Sequence, residues 1–196
     1  MSIYHKWQTI FVQIPKNATV SIHEMLRNKT DDQHNHATFI QILENNDIEL
    51  VEQYFSFSCV RNPYDKFVSA YEYRNQDHPL EFRKFIEKIY NKPLITFNEL
   101  DPAYYPQYRF ITIKNIILVD QVIKFENLEE DWKKIVEIIN KRISYAKLSN
   151  TLEVLNVTPN RNKDWKTYYT PELKDMIYQI YKKDFELFNY KMIINL

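Results

Sequence analysis

The sequence predicts an α/β fold, a single domain of 196 residues with a central parallel sheet flanked by helices. Three observations point there. Short runs of apolar and β-branched residues alternate with longer stretches whose apolar positions recur at helical spacing. Two of those runs feed straight into a helical stretch, as the strands of βα units do. No internal repeat, low-complexity tract or linker divides the chain, and its length is enough for one substantial core.

Ile10 to Ile14 reads as a buried strand ended by Pro15, followed by a helix from about Val20 to Arg27 that Thr19 or a neighbour caps. Phe39, Ile40 and Leu43 predict a short helix. Phe55 to Val60 is the second strand, broken by Asn62-Pro63, with Pro63 suited to the first turn of a helix reaching Arg74. Leu80 to Tyr90 is amphipathic through Phe82, Phe85, Ile86 and Ile89. Residues 91–112, with three prolines and many aromatics, read as an ordered loop. Ile116 to Val119 and Val122 to Phe125 read as strands, Leu128 to Ile143 as a helix through Trp132, Ile135, Ile138 and Ile139, and Pro171 opens the last helix.

Composition narrows the function classes. Lysine plus arginine (26) equals aspartate plus glutamate (26), so the net charge is zero and the basic excess of a phosphate-gripping nucleic-acid binder is missing. No nucleic-acid partner is expected. The start Met1-Ser2-Ile3-Tyr4-His5-Lys6 leads into no apolar stretch, so no signal peptide is expected, and no run of about 18 apolar residues predicts a membrane span. The single cysteine, Cys59, sits inside an apolar strand and reads as a small buried hydrophobe. Zinc-type cysteine and histidine spacings are absent, so no metal is expected. The chain has no glycine, so its tight turns fall to other residues, asparagine and aspartate being best suited to positive φ.

Two segments carry chemistry. In Ile10-Phe-Val-Gln-Ile-Pro-Lys-Asn-Ala-Thr-Val-Ser-Ile22 a strand stops and a helix starts, which leaves backbone N–H groups and the positive end of the helix dipole aimed at one spot. Lys16 adds a charge, and Thr19 and Ser21 add hydroxyls. The loop is P-loop-like, but it is no Walker A sequence: the lysine comes first and no glycine is present. Taken alone, it reads more simply as a solvated lysine and a helix cap. The second segment, Phe55 to Tyr71, places Arg61 at the end of a buried strand, where open α/β sheets bind ligands. An arginine fork there can grip a phosphate twice. Ser69 lies two turns into the next helix, and Asp65 either holds Arg61 or caps that helix.

Together the segments look like one family. Ile14-Pro15-Lys16-Asn17-Ala18-Thr19-Val20-Ser21 resembles the 5′-phosphosulfate loop of sulfotransferases that use 3′-phosphoadenosine-5′-phosphosulfate (PAPS), especially the carbohydrate branch typified by heparan and chondroitin sulfotransferases. Val60-Arg61-Asn62-Pro63-Tyr64-Asp65-Lys66-Phe67-Val68-Ser69-Ala70-Tyr71 resembles that family's 3′-phosphate segment. His36-Ala37-Thr38 is similar to the segment that supplies a histidine base. Val119-Asp120 with Phe125-Glu126-Asn127-Leu128, and Tyr168-Tyr169 with Asp184 to Tyr190, match later stretches in the same order. Family loops often carry glycine where Thr19 or Val20 stands here.

The resemblance implies sulfuryl transfer from PAPS to a hydroxyl acceptor, a glycan by the branch, with adenosine 3′,5′-bisphosphate as product. It assigns the 5′-phosphosulfate to Lys16, Asn17, Ala18, Thr19, Val20 and Ser21, and the 3′-phosphate to Arg61 and Ser69. Arg161 and Lys163, before Trp165, either add to the 3′ site or form an ordinary solvated loop. Lys16 and His36 are the expected catalytic residues, with His34 the alternative base; His5, His23 and His78 read as surface residues. Tyr104, Tyr105 and Tyr108 with Gln107 and Arg109 make either a sugar-stacking wall or core packing. A glycan on the sequon at Asn17 would block the loop, which favours a cytoplasmic setting. Two other readings stay open: a sulfotransferase fold that only binds, and a non-standard P-loop nucleotide kinase.

Overall fold

The computed structural model describes residues 2–27, 36–74, 81–91, 100–153, 155 and 164–192. In chain order these form strand β1 (Ile3–Tyr4), strand β2 (Thr9–Val12), helix α1 (Thr19–Leu26), helix α2 (Phe39–Glu44), helix α3 (Ile48–Gln53), strand β3 (Phe55–Val60) and helix α4 (Pro63–Arg74). Helix α5 (Phe82–Tyr90), helix α6 (Tyr108–Ile111), strands β4 (Thr112–Ile113), β5 (Ile116–Ile117) and β6 (Gln121–Lys124), helix α7 (Leu128–Arg142) and helix α8 (Pro171–Leu187) follow. The chain gathers into two compact units, Met1–Val60 with Arg109–Val157, and Arg61–Tyr108 with Thr158–Leu196.

The first unit holds the central sheet, in the order β1-β2-β3-β6. β2 pairs parallel with β3, and β3 parallel with β6, but the edge strand β1 runs antiparallel to β2. The sheet is therefore mostly rather than wholly parallel, and β1 was not visible in the sequence because two residues carry no periodicity. Register sets the core: Phe11 lies beside Phe57, their rings stacked at 4.9 Å. Such a pair is worth roughly 0.5–1.5 kcal/mol beyond its buried area. Side chains alternate, so Phe11, Phe57 and Ile123 share one face. That face packs against Ile22 and Leu26 of α1 and Trp132, Ile135, Val136 and Ile139 of α7, with the buried Cys59 among them. Asp120 fixes the start of β6, since one of its carboxylate oxygens accepts from both the N–H and the hydroxyl of Ser56 at 2.8 Å.

Ile116 to Val119 is not a strand of this sheet. Ile116–Ile117 instead pairs with Thr112–Ile113 in a separate hairpin. Its two-residue turn is Lys114-Asn115, both left-handed (φ 47° and 67°), the geometry that matches strand twist. The apolar run 116–119 marks a strand, which covers Ile116–Ile117; what the run cannot give is the partner.

The second unit is helical. Asn62 caps α4, its Oδ1 accepting from the Tyr64 N–H at 3.0 Å, with Pro63 in the first turn. Thr170 caps α8 in the same way before Pro171. Its core joins Tyr64, Phe67 and Val68 of α4, Ile86 and Ile89 of α5, Tyr104, and Leu173, Ile177, Tyr181 and Phe185 of α8. The predicted loop of residues 91–112 contains, in its described part, a 3₁₀ turn at Pro102–Tyr104 and helix α6.

Candidate active site

The segment after β2 makes a helix start with unusual backbone. Lys16 and Ala18 are left-handed at φ 70° and 56°, and neither is glycine. Each such residue costs roughly 1–3 kcal/mol and survives only where the surroundings dictate it, a pattern that clusters at binding sites. Ala18 is the N-cap of α1 and supplies no side-chain bond, so Thr19 is the first helical residue rather than the cap. The first intrahelical bond runs from Ile22 N–H to the Ala18 carbonyl. Helix geometry therefore leaves the N–H groups of Thr19, Val20 and Ser21 outside the ladder. Asn17 is buried and donates through Nδ2 to the Cys59 carbonyl at 2.9 Å, which ties the loop to the end of β3. The Thr19 side chain is buried, and its hydroxyl has no hydrogen-bond partner among the described residues. The Ser21 hydroxyl accepts from the Leu155 N–H at 2.9 Å, which leaves its own hydrogen to donate. Positive φ thus falls at Lys16 and Ala18, not at Thr19 or Val20.

His36 belongs to the same unit. Its Nδ1 lies 2.9 Å from the carbonyl oxygen of Gln13, three residues before Lys16. A carbonyl only accepts, so Nδ1 carries the proton and Nε2 of the neutral ring presents its lone pair. The ring is exposed and lines an open hollow of about 370 Å³ with Ala37, Gln41 and Asn45. Sequence reasoning gave Gln13 no part, because a backbone carbonyl has no residue signature. His23, expected at the surface, is buried, with its Nδ1 2.7 Å from the Tyr4 hydroxyl; it sits on the apolar side of α1, where helical spacing places it with Leu26.

In the second unit Arg61 follows β3 directly and is 5 % exposed. Its Nε donates to Asp65 Oδ2 at 2.7 Å, so Asp65 holds Arg61 rather than capping α4. That pairing engages the inner nitrogen of the fork. Ser69 stands four residues after Asp65, on the same helix face, buried and with no hydroxyl partner among the described residues. Gln107 clamps the Arg61 backbone from both sides: its Oε1 accepts from the Arg61 N–H, and its Nε2 donates to the Arg61 carbonyl, each at 2.8 Å. Asp184 of α8 holds Gln107 in turn, accepting from the backbone N–H groups of Gln107 (2.8 Å) and Tyr108 (2.9 Å). Burial pushes the Asp184 carboxyl up to about 6, against the opposing pull of those N–H donors and of the Lys66 ammonium. Lys66, also buried, donates to the carbonyls of Ala103 (2.6 Å) and Tyr105 (3.0 Å).

The family model of the sulfotransferase family matches residues 4–191, nearly the whole sequence and both units. The chain belongs to the sulfotransferase family. No curated protein and no solved structure matches it. It is a PAPS-dependent sulfotransferase acting on a hydroxyl acceptor, and the nucleotide-kinase reading falls.

For this sulfotransferase the remaining expectations sort simply. His34, Arg161 and Lys163 lie outside the described residues. The aromatic wall does not form as a whole: Tyr104 is buried, its hydroxyl donating to the Ala70 carbonyl, and Gln107 is fully buried behind Arg61. Gln107 and Asp184 carry a structural signal the sequence lacks, since a buried glutamine and a surface one look alike until topology is known. No described helix is long and apolar enough to cross a membrane. Among the described residues no cluster of His, Cys, Asp or Glu is grouped to hold a metal ion.

Proposed function

We propose that the sulfotransferase moves the sulfuryl group of PAPS to a carbohydrate hydroxyl by in-line displacement. The observation that carries the reading is the loop before α1. A lysine, two hydroxyl side chains and three N–H groups outside the helix ladder fall within residues 16–21, where the backbone is bent left-handed at two non-glycine positions. Residues 15–21 contain no carboxylate. A donor-rich set of this kind, with no carboxylate, fits a phosphosulfate.

In this reading Lys16, Thr19 and Ser21 hold the 5′-phosphosulfate with the N–H groups of residues 17–21, and Arg61 and Ser69 hold the 3′-phosphate. Arg61 arrives with its planar fork already oriented by Asp65, which lowers the ordering cost of gripping a phosphate. His36 takes the acceptor proton on Nε2 as the new S–O bond forms and the S–O bond to the 5′-phosphate breaks; adenosine 3′,5′-bisphosphate leaves. Lys16 offsets the charge that grows on the leaving oxygen, and positioning does most of the remaining work, as in phosphoryl transfer. Arg161 and Lys163 belong to the proposal as additional cations at the 3′ end, on sequence alone. The two units act together as one sulfotransferase domain, a reading supported by the single family match across both. A cytoplasmic setting is supported by Asn17, whose buried Nδ2 is committed to Cys59; an N-glycan found there would overturn it.

Kinetics test the roles of Lys16 and His36. Lys16→Ala should lower kcat by more than it raises the KM for PAPS, because the charge it meets grows only during transfer. His36→Ala should lower kcat by roughly 10²- to 10⁴-fold while affinity for adenosine 3′,5′-bisphosphate stays near wild type. An unchanged kcat in His36→Ala would move the base to His34, Glu44 or Glu126.

A further inference from the structure

We infer that Gln107 is a specificity-determining positioning residue. Through its two bonds to the Arg61 backbone it sets how strongly the site prefers a nucleotide with a 3′-phosphate over one with a plain 3′-hydroxyl, and the buried charges of Lys66 and Asp184 hold it in place. The inference rests on the reading of Arg61 as the residue that grips the 3′-phosphate.

The stretch from Ala103 to Tyr108 is where the support begins. Tyr105, Pro106 and Gln107 belong to no helix or strand. Buried backbone without a ladder has to find its partners elsewhere, and here they are side chains of two helices. Lys66 of α4 donates to the Ala103 and Tyr105 carbonyls at 2.6 and 3.0 Å. The Tyr181 hydroxyl of α8 donates to the Tyr104 carbonyl at 2.7 Å. Asp184, about one turn further along α8, accepts from the N–H groups of Gln107 and Tyr108. A cation thus meets carbonyls of the stretch and an anion meets its N–H groups, and both charges are buried. Buried charges are a poor source of net stability. A well-bonded buried polar network does fix one arrangement.

What that arrangement delivers is the Gln107 amide. It accepts from the Arg61 N–H and donates to the Arg61 carbonyl, each at 2.8 Å. A neighbouring strand would make the same pair of bonds. Glutamate of equal length offers no donor and lysine no acceptor, whereas the amide offers both. Arg61 is therefore held at its backbone by Gln107 and at its Nε by Asp65. A guanidinium on a fixed stem loses less freedom when it grips a phosphate. Only a ligand with a phosphate at the 3′ end gains from that.

The test is calorimetric titration of wild type, Gln107→Met, Arg61→Ala and the double variant with adenosine 3′,5′-bisphosphate and adenosine 5′-phosphate. Methionine keeps the length of the side chain and removes both donor and acceptor. Gln107→Met should bind the bisphosphate about 3- to 10-fold more weakly and the monophosphate unchanged. Added to Arg61→Ala, it should weaken the bisphosphate no further, because Gln107 acts through the Arg61 side chain. A merely structural glutamine would instead cost both nucleotides alike. Equal losses, no loss for either nucleotide, or a full additional loss in the double variant would overturn the inference and leave the Arg61 assignment standing. If Arg61→Ala itself does not separate the two nucleotides, that assignment falls and this inference with it. Should Gln107→Met not fold, Asp184→Asn makes the same comparison. It keeps the side-chain size and one acceptor oxygen, so the selective loss should be about two- to threefold, with the same outcomes deciding.

Discussion

At the scale of single residues the loop before α1 is defined by what it lacks. A chain without glycine has to place side chains in left-handed backbone, and it does so at Gln8, Lys16, Ala18, Lys114, Asn115 and Asn189 among the described residues. Asparagine takes two of those six positions and aspartate none, so the expectation that these residues would serve holds at a third of them. Local preference yielded at Lys16 and Ala18 to the need to turn from β2 into α1. Ala18 gives this a clean test, because its side chain is one methyl group and its φ is 56°. Ala18→Gly removes the clash of Cβ with the carbonyl, worth roughly 1–2 kcal/mol, against a larger backbone entropy loss of roughly 0.5–1 kcal/mol. The variant should be as stable as wild type or up to about 1 kcal/mol more stable by denaturant titration, whereas Ala18→Val should be clearly less stable. A glycine variant that loses stability would show that the Ala18 methyl is held by packing and not strained.

Individual elements divide by how their signals arise. The helices α1, α2, α4, α5, α7 and α8 were legible because each buries one stripe or opens on a cap, and Phe55–Val60 was legible as a fully buried run of six. α7 adds acidic residues in its first turn and basic ones in its last, which its dipole favours. β1, α3 and the pairing of β5 were not legible, since two- to six-residue elements are chosen by their partners. The same holds for the contact from α8 to the Arg61 turn. Asp184 is fully buried on α8, and in sequence it stands among charged residues, between Lys183 and Phe185, with no sign of its burial. Its burial makes a pH prediction. The carboxyl is raised from 3.8 to about 6 on folding, so the folded chain holds its proton more tightly than the unfolded chain. The stabilisation it brings is complete below pH 3.8 and is lost as pH rises through about 6. Asp184→Asn does not titrate. The stability of wild type minus that of the variant should therefore fall, by up to about 3 kcal/mol, between about pH 4 and about pH 7. A flat difference would mean that folding leaves Asp184 unshifted, and a rising one that folding favours its ionised form; either would contradict the raised carboxyl.

For the whole molecule, the net charge is zero, so in the proposed reading a highly charged nucleotide is met by local placement of cations instead of bulk charge. The strand ends and helix starts that carry the candidate site were readable, because a strand stopping at Pro15 or before Pro63 is written in sequence. The supports were not. The Gln13 carbonyl behind His36 and the Gln107–Asp184 pair behind Arg61 depend on contacts between residues 23 to 77 positions apart. No periodicity reports such contacts. The central claim is that Arg61 reads the 3′-phosphate of the nucleotide while the loop at Lys16 reads its 5′ end. Calorimetric titration of wild type and Arg61→Ala with adenosine 3′,5′-bisphosphate and adenosine 5′-phosphate tests it most directly. A charged contact of this kind is worth roughly 1.5–3 kcal/mol, so the variant should bind the bisphosphate about 10- to 150-fold more weakly and the monophosphate almost unchanged. Equal losses for the two nucleotides, or no binding of the bisphosphate by wild type, would contradict the account.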